Sequence, residues 1–306
     1  MVGDAVHGGG PGLSVLELVA SGSLRDVGAR LLGAPQEIVP LAEAWLAPPI
    51  ETPPSVRDFM AFERHVEGMG RLVGATPSVP EIWYRQPLFY FSNPAGLLGP
   101  HDDVTTPPGC QVFDFELEVA AVVGPAPGVP RLADLTVTEA AHCIVGYALM
   151  NDWSARDLQA VEMEGPLGPC KGKDSAISLG PWLITAEELP GLAEGQPGGP
   201  TLVASVDGAQ FGGDSLDRMA WSFAEIVSYA SRGTQLQAGD LIGSGTCGGG
   251  CIAERWGRSG RDSFPSLQPG QRVTLDGGPL GWQSSLVLPA AHLRAPLRDR
   301  RAPAGS

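Results

Sequence analysis

Glycine and proline interrupt this chain so often that long regular elements are not expected. The 306 residues include 42 glycines and 29 prolines, close to one residue in four. Both residue types punctuate helices and mark turns, which disfavours a helical bundle and favours many short elements. Hydrophobic residues make up 43% of the chain, enough for a sizeable core. A β-rich chain of this length often folds as one unit.

The charge balance excludes several classes of partner. There are 34 acidic and 20 basic residues, and the formal net charge is −14. Phosphate binding needs clustered lysine and arginine, so we expect no nucleic-acid partner and no anionic membrane partner. No apolar run approaches the ~18 residues of a membrane span. The start, Met1 to Asp4, lacks the basic and apolar regions of a signal peptide, so none is expected.

The cysteines predict a reducing compartment. Their number is odd and they form no Cys-x-x-Cys pair, which favours free buried thiols in the cytoplasm. The five residues are Cys110, Cys143, Cys170, Cys247 and Cys251. Cys247 and Cys251 lack a second ligand pair of suitable spacing, which disfavours a zinc site.

The first 54 residues form a distinct N-terminal segment in the sequence. Residues 1–12 are rich in glycine and are expected to be mobile. Residues 14–32 have a weak helical spacing of apolar side chains. We therefore predict a short, partly helical N-terminal part over residues 1–54.

A short helix is predicted directly after this segment. Ser55 is followed by an acidic residue three positions on, a pattern typical of a helix N-terminus. We assign the helix to residues 56–67. Residues 72–108 are rich in turns and aromatic residues and show no clear period.

Strand patterns dominate the rest of the chain. Candidate strands lie at residues 113–123, 144–150, 179–185, 201–206, 240–244 and 272–275. Helical spacing covers residues 138–143 and 219–232. The sequence therefore predicts a β-rich α+β domain over residues 55–290, followed by a C-terminal tail over 291–306.

Alternating acids on one strand give the strongest local signal of function. In the segment 113–119, Asp114, Glu116 and Glu118 share one face, with roughly 7 Å between neighbours at ~3.4 Å per residue. Partly buried like charges need raised pKa values or a cation between them. Mg²⁺ or Ca²⁺ suits carboxylate oxygens. A solvated face on an edge strand is the open alternative.

A second polar pattern follows the apolar strand at 144–150. Asp152 could add a third carboxylate, since strand ends are common places for ligand-facing groups. Taken alone, Asp152 is better interpreted as an N-cap for the turn that follows. Arg156 stands next to Asp157, which favours a structural ion pair over a substrate clamp.

Asp58 and His65 are seven residues apart. On one helix, two turns would place them on the same face about 10 Å apart, where both could line one pocket. A lone histidine is also compatible with a structural role. No Gly-x-Ser-x-Gly segment occurs, so His65 has no serine nucleophile of that type to serve.

The glycine-rich segment 243–254 lacks the Gly-Lys-Ser/Thr ending of a phosphate-binding loop, which argues against a nucleotide. It suits close approach of the backbone to another ligand. Taken alone, Glu254 at the end of this segment is expected to be a surface acid. Lys173, a single basic residue in a turn elsewhere in the chain, is by itself only weak evidence for a functional site.

Taken together, these segments resemble the fumarylacetoacetate hydrolase family. The stretches that carry the resemblance keep the family order and lie at residues 58–65, 113–124, 146–159, 172–185 and 243–254. Glu-x-Glu on a strand, followed by Asn-Asp-Trp-Ser-Ala-Arg-Asp, is a specific combination. The resemblance implies a mixed β-sandwich roll, usually homodimeric, in which the histidine segment behaves as a lid.

The resemblance also implies roles for individual residues. It implies a divalent cation, Mg²⁺ or Ca²⁺, held by Glu116, Glu118 and Asp152, with Asp58 as an additional carboxylate. It implies that His65 activates water and is oriented by Glu254, and that Lys173 stabilises developing negative charge. The candidate substrate contacts are Gln159, Thr246 and Arg156.

Two departures bear on the substrate. Met60 stands where fumarylacetoacetase has a substrate-binding tyrosine, and a second such tyrosine is unmatched near Met163 or Glu164. We therefore expect a substrate other than fumarylacetoacetate.

The implied function is hydrolysis of a carbon–carbon bond in a ketonic substance, a β-diketone or an acylpyruvate. The open alternatives are decarboxylation, hydration or keto–enol isomerisation of a 2-oxo acid on the same metal, or a non-catalytic binding protein that has kept the fold.

Overall fold

Short strands outnumber helices in the fold. The computed structural model describes residues 4–10 and 12–292, and elements are given for that part of the chain. The strands are β1 Ala5–Gly8, β2 Glu37–Pro40, β3 Val56–Phe59, β4 Phe89–Ser92, β5 Leu97–Leu98, β6 Val104–Thr105, β7 Phe113–Asp114, β8 Leu117–Val123 and β9 Ile144–Asp152. They continue with β10 Ser154–Ala155, β11 Ile177–Leu179, β12 Ile184–Thr185, β13 Thr201–Val206, β14 Ala209–Ser215, β15 Leu241–Gly243, β16 Arg272–Asp276 and β17 Trp282–Leu288.

Helices are few and short. They are α1 Val15–Ala20, α2 Leu24–Gly33, α3 Glu63–Leu72, α4 Val137–His142, α5 Arg156–Glu162, α6 Phe223–Ala230 and α7 Ile252–Ser259. None of these described helices is long and apolar enough to cross a membrane. The prediction of a β-rich α+β fold is confirmed.

Two mixed sheets form the body of the molecule. The larger sheet has the order β4-β3-β15-β8-β9-β11-β5, and β12 also pairs with β9. The smaller sheet has the order β14-β13-β16-β17-β6. Two-stranded ribbons join β1 to β2 and β7 to β10.

The centre of the larger sheet is buried on both faces, which explains the apolar run at the end of β8. Side chains of a strand point alternately to its two faces. Val119, Ala121 and Val123 enter the main core. Ala120 and Val122 enter a second core on the opposite face.

Each face of the larger sheet has its own cover. The main core includes Leu202 of β13 and Leu275 of β16, from the smaller sheet. The second core includes Val19 of α1 and Ile50. The N-terminal segment therefore packs against the sheet that carries the strongest sequence signals.

The N-terminal predictions can be compared with these elements. The weak helical spacing at 14–32 corresponds to α1 and α2. Residues 5–8, within the stretch expected to be mobile, form β1 and pair with β2. Residues 293–306, most of the predicted tail, lie outside the described part. The division at residues 54 and 290 stays a prediction.

The predicted helix over 56–67 is wrong in its first half. Residues 56–59 form β3, and α3 begins at Glu63. Ser55 does not cap a helix, because its hydroxyl donates a hydrogen bond to Asp240 Oδ1 at 2.8 Å. Arg57 Nη1 lies 3.2 Å from Asp240 Oδ2. These long-range partners hold the segment extended beside β15.

Other boundaries also differ from the predicted ones. The strand predicted over 113–123 is broken at residues 115–116, and the one over 179–185 is broken at residues 180–183. The sequence patterns did not reveal β4, β14 or β17. The helix predicted over 219–232 is shorter, at Phe223–Ala230.

Gln283 ties the two sheets together and yields a stability prediction. Its buried amide, on β17, donates hydrogen bonds to the carbonyl oxygens of Leu149, Ser178 and Gly180 at 2.7, 3.3 and 3.0 Å. Gln283→Leu should lower the free energy of unfolding by about 3 kcal/mol, at ~1 kcal/mol for each of the three hydrogen bonds lost. Urea unfolding measures the change.

The matched control is Gln235→Leu, because Gln235 is exposed. It should leave the free energy of unfolding within about 0.5 kcal/mol of the original chain. Equal effects of the two substitutions would show that the Gln283 hydrogen bonds contribute nothing to stability.

Candidate metal centre and active site

Neighbouring strands of the larger sheet bring four carboxyl groups together. Asp58 lies on β3, Glu118 on β8 and Asp152 at the end of β9, while Glu116 directly precedes β8. Strand β15 separates β3 from β8. One ligand oxygen from each of the four residues lies within 4.8 Å of the others. The fold therefore assembles all four predicted metal ligands from distant parts of the chain.

A glycine on the intervening strand makes room for this cluster. Gly243 on β15 pairs with Asp58 of β3. A Cβ atom at Gly243 would lie 2.4 Å from Asp58 Oδ1 and 2.7 Å from the terminal methyl of Met150. Any larger residue would displace the carboxyl group or the core beneath it.

The donor set fits a hard divalent cation. Asp58 Oδ1, Glu118 Oε2 and Asp152 Oδ1 are buried and have no hydrogen-bond partner among the described residues. Buried acceptors are normally satisfied. Oxygens about 2.0–2.6 Å from one Mg²⁺ or Ca²⁺ ion lie within about 5 Å of each other, in agreement with the observed spacing.

Burial and mutual repulsion disturb the titration of these groups. Burial, with the charge of Asp152, raises the pKa of Asp58 to about 7. Burial also raises the pKa of Asp152 and, well above its ordinary value, that of Glu118. Burial also raises the pKa of Glu116, but the positive charges of Lys173 and Arg156 lower this pKa overall. A bound cation would relieve this repulsion.

Two buried cations partly neutralise the cluster. Lys173 Nζ contacts Glu116 and lies 2.9 Å from Asp152 Oδ2. Arg156 Nη2 lies 2.7 Å from Glu116 Oε1 and 2.8 Å from Asp114 Oδ2. With Asp114 included, five buried carboxyl groups face these two cations. Full ionisation of all five groups would leave an excess of negative charge, which a further cation would offset.

Tyr90 is a site residue that the sequence patterns did not reveal. Its hydroxyl lies 2.8 Å from Asp58 Oδ2 and also contacts Asp152. Burial, with the charge of Asp152, raises its pKa well above the ordinary value. Tyr90 therefore remains a neutral donor at the carboxylate cluster. A strand pattern at 89–92 could have drawn attention to it.

His65 and Glu254 form a buried pair beside the cluster. His65 Nδ1 on α3 lies 3.4 Å from Glu254 Oε2 on α7. The Gly249 backbone N–H donates to Oε2 at 2.7 Å, and Arg258 Nε donates to Oε1 at 2.9 Å. Burial raises the Glu254 pKa, but the hydrogen bonds with His65 and Gly249 lower it overall. Glu254 is thus held as a carboxylate facing the imidazole.

Close packing of α3 and α7 fixes the separation of this pair. A Cβ atom at Gly257 would lie 1.9 Å from the Gly68 carbonyl oxygen. A Cβ atom at Gly68 would lie 2.4 Å from Glu254 Cγ. The two helices touch backbone to backbone here because both positions are glycine.

His65 also approaches the carboxylate cluster. Nitrogen, oxygen and sulfur atoms of His65, Glu116 and Cys251 lie within 4.8 Å of one another. Asp58 and His65 do not share a helix, contrary to the prediction, but Glu116 links them because it lies close to both.

Asp114 supports the site without joining the carboxylate cluster. Its carboxylate accepts hydrogen bonds from the backbone N–H groups of Ile252 and Ala253, each at 2.9 Å. These groups lie in the first turn of α7, where a negative charge stabilises a helix. Asp114 therefore couples Arg156 to the helix that carries Glu254.

The three candidate substrate-contact residues all bond to other residues of the site, and one of them lines a cavity. Gln159 lines a cavity beside the cluster, and its side-chain oxygen accepts from Arg156 Nη1 at 3.1 Å. The hydroxyl of Thr246 donates to Glu118 Oε1 at 3.2 Å. Arg156 pairs with Asp114 and Glu116. Their contacts with a substrate stay predictions.

Three of the structural alternatives raised by the sequence are wrong. The alternating acids are buried rather than solvated, and Glu254 is fully buried rather than a surface acid. Asp152 is not a helix cap, since α5 begins at Arg156 after Ala155. The expected Arg156–Asp157 pair does not form; Asp157 instead accepts from the Gln111 backbone N–H at 2.8 Å.

The thiols are free, and most are buried. All five cysteines are free, and Cys170 is the exposed one. Burial raises the pKa of the Cys251 thiol well above its ordinary value.

A divalent cation should stabilise the folded chain through the carboxylate cluster. At 100 times Kd, Mg²⁺ or Ca²⁺ should add about 2.7 kcal/mol, which corresponds to a rise in Tm of roughly 5 °C. Asp152→Asn should abolish the rise, because it removes a charged ligand. Differential scanning fluorimetry with and without EDTA measures both.

The control is Asp262→Asn at an exposed position, which should keep the full rise in Tm. An identical rise in the Asp152 and Asp262 variants would place the cation elsewhere on the protein.

Comparison with known proteins agrees with this geometry. Residues 55–287 match the family described as fumarylacetoacetate (FAA) hydrolase C-terminal. A fumarylacetoacetase of Arabidopsis thaliana is 29% identical over 271 residues, covering 72% of this chain and 64% of the relative. The chain thus spans less than two thirds of that relative's length.

Solved structures with the same fold carry different activities in their names. A probable 2-hydroxyhepta-2,4-diene-1,7-dioate isomerase from Mycobacterium abscessus matches with a TM-score of 0.69 and 25% identity, over 90% of this chain and 89% of its own. A fumarylpyruvate hydrolase from Pseudomonas aeruginosa, solved with Mn²⁺ and pyruvate, matches with a TM-score of 0.61 and 22% identity. The match covers 83% of this chain and 93% of the hydrolase chain. With three quarters of its length matched and the same β-rich fold, this chain belongs to the fumarylacetoacetate hydrolase family.

Proposed function

We propose that this protein is a metal-dependent hydrolase that cleaves a carbon–carbon bond in an acylpyruvate or a related β-diketone. The observation that carries the proposal is the buried His65–Glu254 pair, which lies against a carboxylate cluster suited to a divalent cation. For an acylpyruvate, water would be added across the bond between the acyl carbonyl and the methylene carbon. The products would be a carboxylate and pyruvate, with one proton released.

The metal would be held by Asp58, Glu116, Glu118 and Asp152. When bound, the cation supplies Lewis-acid polarisation of the substrate oxygens and offsets developing negative charge. The three buried oxygens without partners support this assignment. A relative with the same fold was solved with Mn²⁺, so Mn²⁺ joins Mg²⁺ and Ca²⁺ among the candidate ions.

His65 would act as the general base. Glu254 faces Nδ1, and a carboxylate there favours the tautomer that carries the proton on Nδ1. Nε2 then has a free lone pair to accept a proton from water. The resulting hydroxide attacks the acyl carbonyl carbon, and the breaking bond leaves its electron pair on the pyruvate fragment. The conjugate acid of His65 can return a proton to that fragment.

Lys173 and Gln159 would position the substrate, because both line the cavity beside the cluster. Lys173 is buried, and the charges of Asp152 and Glu116 outweigh burial and raise its pKa. It therefore stays cationic and can stabilise an oxyanion. Arg156, buried between Asp114 and Glu116, would keep the Glu116 carboxylate oriented.

Isomerisation of a 2-oxo acid is the second candidate. It is favoured by the likeness to the Mycobacterium abscessus isomerase, which matches over 90% of this chain. Decarboxylation and hydration of a 2-oxo acid use the same metal chemistry. Mass analysis of products in H₂¹⁸O separates these reactions, since only C–C hydrolysis places the label in a released carboxylate.

We also propose a cytoplasmic homodimer. Free thiols at all five cysteines support a reducing compartment. The resemblance to the family supports the dimer, which sedimentation equilibrium tests directly.

His65→Ala should lower kcat for acylpyruvate cleavage by about 10²–10⁴-fold, the usual contribution of a general base. Metal binding should persist, since the four carboxyl groups are untouched. Release of pyruvate, followed with lactate dehydrogenase, measures kcat. The rise in Tm with Mg²⁺ measures metal binding.

The matched control is His142→Ala, at an exposed position near the end of α4, which should retain full activity. Retained activity in His65→Ala would refute the assigned base. Loss of both activity and the metal-dependent rise in Tm would assign His65 to metal binding instead.

A further inference from the structure

A large cavity opens beside the carboxylate cluster. Its volume is about 890 Å³, within the range of small-molecule sites. Tyr90, Gln159 and Lys173 form part of its wall, so the cavity is continuous with the proposed reaction centre. Pyruvate alone would fill a small part of it. The remaining space must accommodate the part of the substrate beyond the reacting carbonyl groups.

Part of the lining of this cavity is apolar and is called the apolar wall below. Its residues lie directly after β3, in and next to β4, and after α5. The apolar residues are Met60, Leu88, Phe89, Phe91, Met163 and Leu167. Three of them expose much of their surface: Phe91 at 65%, Met163 at 56% and Leu167 at 90%. Clustered exposed apolar side chains beside a polar centre are typical of a ligand site.

The same wall offers no free positive charge. Among the sixteen described residues that line the cavity, the basic ones are Lys171 and Lys173. Lys171, whose side chain is 74% exposed, is paired with Asp174, and Lys173 is held by Glu116 and Asp152. A carboxylate at the far end of a substrate would lose water and meet only cations that already have carboxylate partners.

We propose that the substrate carries an uncharged, apolar acyl chain at the end remote from the metal, and that Met163 is one of the residues that select it. This inference rests on the proposed function for the identity of the reacting end. The selection itself depends only on the cavity wall. An apolar chain gains free energy from burial against this wall. The unbranched methionine side chains at positions 60 and 163 can adapt to different chains.

Binding of two chain-matched 2-oxo acids tests the cavity without any reaction. 2-Oxoheptanoate ends in a methyl group, and 2-oxoheptanedioate of equal length ends in a carboxylate. Titration calorimetry on the Mg²⁺-loaded protein should give a Kd at least tenfold lower for 2-oxoheptanoate. Equal or tighter binding of the dioate, or no binding of either acid, would overturn the proposal.

A charge introduced into the wall tests the role of Met163. Met163→Lys should reduce the preference for 2-oxoheptanoate at least fivefold, because it supplies a cation for the far carboxylate. Val161→Lys is the matched control: Val161 is 67% exposed on α5 and does not line the cavity. Equal changes in both variants would attribute the effect to overall charge and refute the selection by Met163.

Turnover separates this proposal from the proposed reaction. Hexanoylpyruvate should exceed butanoylpyruvate in kcat/KM by about 15-fold, since each of its two additional buried methylenes contributes roughly fourfold. If neither compound is cleaved but 2-oxoheptanoate still binds tenfold tighter than the dioate, the apolar subsite stands and the hydrolase assignment fails. If both are cleaved at equal kcat/KM, the apolar subsite is overturned and the hydrolase assignment stands.

Discussion

The candidate site depends on four buried carboxyl groups, whose ligand oxygens lie within 4.8 Å of one another. Each charge removed from water is costly unless it is paired, and like charges at this spacing repel. Lys173, Arg156 and the Tyr90 hydroxyl reduce this cost but leave an excess of negative charge. The cluster therefore suits a bound cation, and without one, replacing the acids with apolar residues would be expected to stabilise the protein.

Elements outside the cluster fix the geometry of the His65–Glu254 pair, the proposed water-activating pair. Asp114 bonds to the first turn of α7 and to Arg156, so the helix that carries Glu254 is tied to a residue that holds Glu116. Glycines at the crossing of α3 and α7 let the backbones touch, which sets the distance from His65 to Glu254. The proposed base is thereby positioned relative to the proposed metal through rigid helices and strands rather than a flexible loop.

The sequence predicted the residues of the site better than their surroundings. Glu116 and Glu118 were found because strand periodicity is local, and Asp152 because it ends an apolar run. The segment that contains Asp58 was assigned to a helix, because it is held extended by contacts of Ser55 and Arg57 with Asp240, far along the chain. The same reason explains why Tyr90 was missed: its partners are 32 and 62 residues away. Local patterns carry no information about such contacts.

The carboxylate cluster and the apolar wall of the cavity lie on different elements of the fold. The residues proposed for the reaction are therefore separate from those proposed to select the substrate. The carboxyl groups belong to or adjoin central strands that are buried on both faces, where a change of one side chain disturbs two cores. The apolar wall comes from an edge strand and from the chain after α5, where side chains such as Leu167 are exposed. Substitutions in that wall cost little stability, so substrate preference can change while the metal-binding geometry is kept. A family built this way can carry hydrolases and isomerases on one fold, as the names of its solved members indicate.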